Sequence, residues 1–90
     1  MCRNIRVLHH FEPPTTPEEI HAAALQFVRK VSGSTKPSQA NQAAFDAAVE
    51  AITGITAQLL EDLESRGAPR TREGEVAKAR ARWDRRAAPR

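Results

Sequence analysis

Residues 38–64 carry the longest uninterrupted helical pattern in the chain. Phe45, Ala48, Val49, Ile52, Ile55, Leu59 and Leu63 recur at steps of three or four, with Leu60 at the edge. That spacing puts them on one face of an α-helix. Ser38 stands where an N-cap belongs, and Gly67 and Pro69 stop the pattern. A second stripe, Ile20, Ala24, Phe27, Val28 and Val31, follows a clear start signal. Thr16 suits the N-cap, Pro17 the first helical position, and Thr16 and Glu19 have capping-box spacing. Ser32 and Gly33 end this helix, and Arg29 and Lys30 lie near its negative end. Residues 34–37 make a short connection, so the two helices are expected to fold back as an antiparallel hairpin.

The flanks are weaker. From Arg70 onward a third helix is expected near residues 72–86, with Val76 and Trp83 two turns apart on one face. Lys78, Arg82 and Arg85 or Arg86 form a basic stripe beside them. Residues 1–11 alternate only briefly, so they read as an extended arm laying Ile5, Leu8 and Phe11 on the helices. Pro13 and Pro14 keep the arm out of helix. The expected fold class is all-α: an antiparallel helical hairpin, an extended N-terminal arm and a short basic C-terminal helix. The expected core is Ile20, Ala24, Phe27, Val28, Val31, Phe45, Val49, Ile52, Ile55, Leu59 and Leu63. Alanines 40, 43, 44, 47, 48 and 51 should slim the long helix where it meets the first, and Gly54 should mark a close backbone approach or a kink. Pairing of two hairpins into a four-helix bundle, a homodimer, is a further expectation.

Composition adds one asymmetry. The chain has 90 residues and a net charge of +3, enough for a single domain. Residues 1–68 hold six Lys/Arg against eight Asp/Glu, a balance of −2; residues 69–90 hold eight against three, +5. The chain therefore divides into a helical body, 1–68, and a basic tail, 69–90. Glu61, Asp62 and Glu64 crowd the end of the long helix, where the dipole disfavours acid and a basic partner would be welcome. The single cysteine excludes an internal disulfide and fits a reducing compartment. No apolar signal-peptide core follows Met1, and no run approaches the ~18 apolar residues of a membrane span. These features indicate a cytoplasmic location.

Three functional expectations arise, and none rests on an enzymatic signature: there is no Gly-rich phosphate loop, no Ser-His-Asp set and no Tyr. The first is a non-enzymatic interaction module that holds an acidic partner through the tail (Lys78, Arg82, Trp83, Arg85, Arg86) and the Arg29–Lys30 pair. The second is a metal- or thiol-dependent site on the arm. Removal of Met1 would give Cys2 both a thiol and an α-amine, and His9 or His10 would complete a set of soft and imidazole ligands suited to zinc or copper. The third is nucleic-acid binding, with the tail cations on phosphates and Trp83 stacked on an unpaired base.

Several strings then carry a resemblance. Met1, Cys2, Arg3, Asn4 and Ile5 open the chain; Phe11, Glu12, Pro13 and Pro14 follow. The run from Ala23 through Gly33, the Lys36, Pro37, Ser38 triplet and Ala44-Phe45 complete the set. Together, over roughly residues 1–82, they resemble a family of small bacterial proteins of unknown function (DUF2277-like). The resemblance implies a bacterial, cytoplasmic protein and supplies no activity, cofactor or catalytic residue.

Overall fold

The computed structural model describes residues 5–87. Its first helix, α1, spans Pro17–Ser32 and is closed at both ends as the residue types dictate. Thr16 is extended (φ −87°, ψ 157°), its hydroxyl oxygen accepts the Glu19 N–H at 3.2 Å, and the Glu19 carboxylate accepts the Thr16 N–H at 2.9 Å. Two otherwise orphaned donors are thereby satisfied. At the far end Gly33 takes φ 70° and sends its N–H back to the Arg29 carbonyl, a left-handed turn that costs glycine no side-chain clash.

The long helix is shorter than its apolar pattern. A 3-10 turn, Gln39–Asn41, precedes α2, Gln42–Asp62. Ser38 makes no side-chain cap; its carbonyl instead accepts the Asn41 N–H at 3.0 Å. Without a side-chain cap the first turn tightens to 3-10 geometry. Leu63 has already turned extended (φ −70°, ψ 129°). The clustered acids at this negative helix end oppose continuation.

The core lies between α1 and α2 and is small. Ile20, Ala24, Val28 and Val49 are buried; Leu25, Phe45, Ala48 and Ile52 pack around the last three. Five residues expected in the core are exposed instead: Phe27, Val31 (70%), Ile55 (73%), Leu59 (52%) and Leu63 (45%). The reason is rotation and cover. α1 meets α2 through Ala24 and Val28 with Leu25 on the flank, which turns Phe27 and Val31 outward. Among the described residues nothing covers Ile55, Leu59 and Leu63 of α2. Of the alanines expected to slim the contact, only Ala48 packs on it. The chain is accordingly flat, 50 × 36 × 16 Å. The radius of gyration is 16.1 Å, against about 12 Å for a compact domain of this length.

Gly54 marks neither a close approach nor a packed neighbour: a Cβ built there meets nothing within 4 Å. Its place in the helix only weakens it. Gly54→Ala should raise the stability of the protein by ~0.5–1 kcal/mol, read as a higher urea midpoint with an unchanged slope. An unchanged or lower midpoint would show that the glycine has a role the packing does not reveal.

One expectation about membranes changes. Residues Gln39–Asp62 form a helix long and apolar enough to cross a bilayer by length and composition, with a mean hydropathy of 1.2. Alanine supplies much of that value. Asp46 and Glu50 lie in its central turns, and an acid near a bilayer centre costs about 3 kcal/mol. The apolar surplus is explained here by a helix packed on one side and bare on the other.

Candidate interaction surface

The third helix, α3, spans Arg72–Ala87, as the sequence predicts. Thr71 starts it: its hydroxyl oxygen accepts the Gly74 N–H at 3.0 Å and its carbonyl the Glu75 N–H at 3.0 Å. A Cβ at Gly74 would come within 2.8 Å of that hydroxyl, so a side chain there would push the Thr71 cap aside.

What holds the root of α3 was not legible in the sequence. Arg70 pairs with the arm: its N–H donates to the His10 carbonyl at 2.7 Å and its carbonyl accepts the Glu12 N–H at 2.9 Å. This forms a single parallel bridge between Phe11 and Arg70. The arm, expected to be extended, thus also has a strand-like partner of minimal length. The Arg70 guanidinium donates to the His9 carbonyl at 2.6 Å and pairs with Glu75 at 3.1 Å. His10 adopts φ 64° and sets its Nε2 3.0 Å from the Gly67 carbonyl. Because that carbonyl can only accept, Nε2 carries the proton.

Arg72 completes the clamp. Its guanidinium forks onto both Glu19 oxygens, at 2.7 and 3.2 Å. It also donates to the Pro13 carbonyl at 2.8 Å and lies 5.2 Å from the Phe11 ring centroid. A planar fork on a carboxylate and a cation on an aromatic face are both contacts that Arg makes better than Lys. The Arg72 hydrogen bond, followed by that from the Thr16 backbone, lowers the Glu19 carboxyl from its ordinary 4.5 to about 2. Arg72 is raised in turn, chiefly by the Glu19 bond. Arg70 and Arg72, counted in the sequence among tail cations near a phosphate surface, are therefore spent on the fold. The acids at the end of α2 are not their partners: among the described residues Glu61, Asp62 and Glu64 form no ion pair with the tail.

Beyond this root, α3 packs on neither α1 nor α2 among the described residues. Lys78, Arg82, Trp83, Arg85 and Arg86 are all exposed, Trp83 by 64%. Lys78 retains a long contact to Glu75, 3.8 Å. At 100° per residue, Lys78, Arg82 and Arg85 share a face with Arg86 at its edge, and Val76 and Trp83 form an apolar strip on the far side of Arg86, turned away from Lys78 and Arg85. The structure brings these five predicted residues together on one helix. It does not bring Arg29 and Lys30 to the root of α3, since ten residues of α1, about 15 Å of axis, separate Arg29 from Glu19. Lys30 is exposed; Arg29 is half-buried, with its Nε lacking a hydrogen-bond partner.

The arm site is only partly in view. Cys2 lies outside the described residues. The His9 and His10 rings stand 5.9 Å apart, and among the described residues no three His, Cys, Asp or Glu side chains converge as a metal set. Between the arm and the helix pair runs a groove of ≈ 250 Å³ lined by Ile5, Arg6, Leu8, Ala23, Ala24, Phe27, Ile52, Thr56 and Leu60. Ile5 and Leu8 thus lie over the helices as expected, while Phe11 is engaged by Arg72.

Comparison with known proteins gives one match. The model of an uncharacterised conserved protein family, DUF2277, covers residues 1–78. No curated protein and no solved structure matches. The matched region contains the whole clamp and stops at Lys78, so Arg82, Trp83, Arg85 and Arg86 fall beyond it.

Proposed function

We propose, for a chain that belongs to the DUF2277 family of uncharacterised conserved proteins, that it is a non-enzymatic interaction module. It holds an acidic partner through α3. The observation that carries this reading is the isolation of α3: sixteen residues of helix rooted by a clamp and packed on no other helix. A helix of that length is marginal in water without tertiary contacts. An amphipathic basic helix with a free tryptophan is suited to gain those contacts from an acidic surface. The clamp fixes the direction in which it is offered. The family match includes Lys78 and stops before Arg82, Trp83, Arg85 and Arg86.

The test is binding of a fluorescent Glu-rich helical peptide, read by anisotropy over a salt series. Binding should weaken steeply between about 50 and 200 mM salt. Replacing Lys78, Arg82, Arg85 and Arg86 by Gln should reduce affinity at least tenfold, with the helix content of α1 and α2 kept. Affinity insensitive to both changes would sink the reading. The exposure of Trp83 favours one competing occupant, an unpaired nucleic-acid strand stacking on the indole. A single-stranded oligonucleotide bound more tightly than the peptide, and lost with Trp83→Ala, would select it.

A further inference from the structure

The exposed strip on α2 and the exposed strip on α3 are complementary, and the same chain carries both. We infer that the acidic partner is a second copy of this chain: α3 of one protomer lies along Ile55, Leu59 and Leu63 of the other, and the contact is returned. The inference rests on the acidic-partner reading and names the partner.

Ile55, Leu59 and Leu63 are spaced by four and form a single row, all three exposed. Val76 and Trp83 form the matching row on α3, also exposed. Neither row is covered by another element among the described residues. Apolar rows of this kind are what helices bury against one another by ridge-and-groove packing.

The charges agree with the apolar rows. Asp62 borders the α2 row, Glu61 and Glu64 add to the negative potential there, and the helix dipole is negative at this end. These acids have no ion pair among the described residues. The α3 row is flanked by Arg80 on one side and Arg86 on the other, with Arg82 next round the helix. Opposite charge would therefore set the register of the two rows and disfavour the reverse pairing.

The contact is placed between copies rather than within one. The clamp ties the root of α3 to the arm and to the start of α1 through Arg72, Glu19 and Pro13. From that root α3 makes no contact with its own α2. Each protomer leaves these apolar rows exposed, whereas domains bury their apolar faces by stacking layers against one another. A reciprocal exchange supplies the second layer twice, which is the self-complementary interface of a two-fold dimer.

Light scattering of the full 9.9 kDa chain at tens of micromolar should give twice the protomer mass, falling to one protomer mass in high salt. Two charge-reversed chains separate this interface from others. One carries Lys78→Glu, Arg82→Glu, Arg85→Glu and Arg86→Glu; the second carries Glu61→Lys, Asp62→Lys and Glu64→Lys. Each alone should be monomeric, with circular dichroism reporting a folded helix pair. Mixed in equal amounts they should restore a dimer containing one of each, because both contacts then join opposite charges. A dimer that persists in either variant alone would place the interface elsewhere. A mixture that stays monomeric would also overturn the exchange. A monomeric parent chain that binds a peptide of residues 55–66 would overturn self-pairing and leave the acidic-partner reading standing. A monomer that binds neither this peptide nor the Glu-rich one would overturn both.

Discussion

Val49→Asp abolishes the cooperative unfolding transition and leaves most of the helical circular dichroism signal lost at 25 °C. Val49 is 4% exposed and is the one buried residue that α2 contributes. Its neighbours across the interface are Ala24 and Val28, flanked by Leu25, with no cation among them. A carboxylate there is buried without a partner, which costs several kcal/mol, and the valine packing is lost as well. The whole margin of a domain this size is on the order of 5–14 kcal/mol, and a core of four buried residues places this one low in that range. Ala47→Asp, on the exposed side of the same helix, serves as the control and should leave the transition nearly in place. A cooperative transition in Val49→Asp within a few degrees of the parent would mean that the α1–α2 contact is not the core.

Arg72→Ala releases the arm. The guanidinium holds Glu19, the Pro13 carbonyl and the Phe11 ring at once, and no other side chain reaches all three. Amide hydrogen exchange should rise sharply at Glu12 and Arg70, whose backbone N–H groups bond across the arm. The buried residues of α1 and α2 should change much less. Arg72→Lys should not rescue the arm, since one ammonium cannot fork onto a carboxylate and cover a ring together. The same pair makes stability depend on acid. Glu19 titrates at about 2 in the folded protein, below its ordinary 4.5. Its contribution is therefore complete above pH 4.5 and fades as pH falls from there towards 2. Glu19→Gln should lower stability at neutral pH and flatten this part of the pH profile. A profile equally steep in Glu19→Gln would show that other carboxylates cause the acid sensitivity.

The parts of the fold that could be read from the chain are those made by neighbours in sequence. Thr16 and Glu19 are three residues apart, Arg29 and Gly33 four, and both caps form as expected. The limits of α3 were equally local. Periodicity grouped the apolar residues of α2, and Phe45, Ala48, Val49 and Ile52 of that group do pack towards α1, but it cannot say how far along the helix a second element covers them. That is why Ile55, Leu59 and Leu63 were assigned to a core they do not enter. The rotation of α1 towards Leu25 and away from Phe27 follows from its fit against α2, which no single-helix pattern contains. The clamp was invisible for a stronger reason. Arg72 is 53 residues from Glu19 and 59 from Pro13, so nothing nearby in sequence distinguishes it from the solvent-facing arginines that follow. For the candidate surface, the composition of α3 was legible, and its isolation was not.

The clamp also orders events in time. Closing a loop of more than fifty residues is entropically expensive in an open chain, while α1 and α2 contact each other across one short connection. Once they pair, the start of α1 and the end of α2 are no longer free to diffuse apart, and the remaining closure is short. Arg72 is thus expected to seat after the helix pair has formed and to release before it opens. Its loss should speed unfolding and leave the folding rate almost untouched. If Arg72 seats last, α3 acquires its fixed direction only on a finished body.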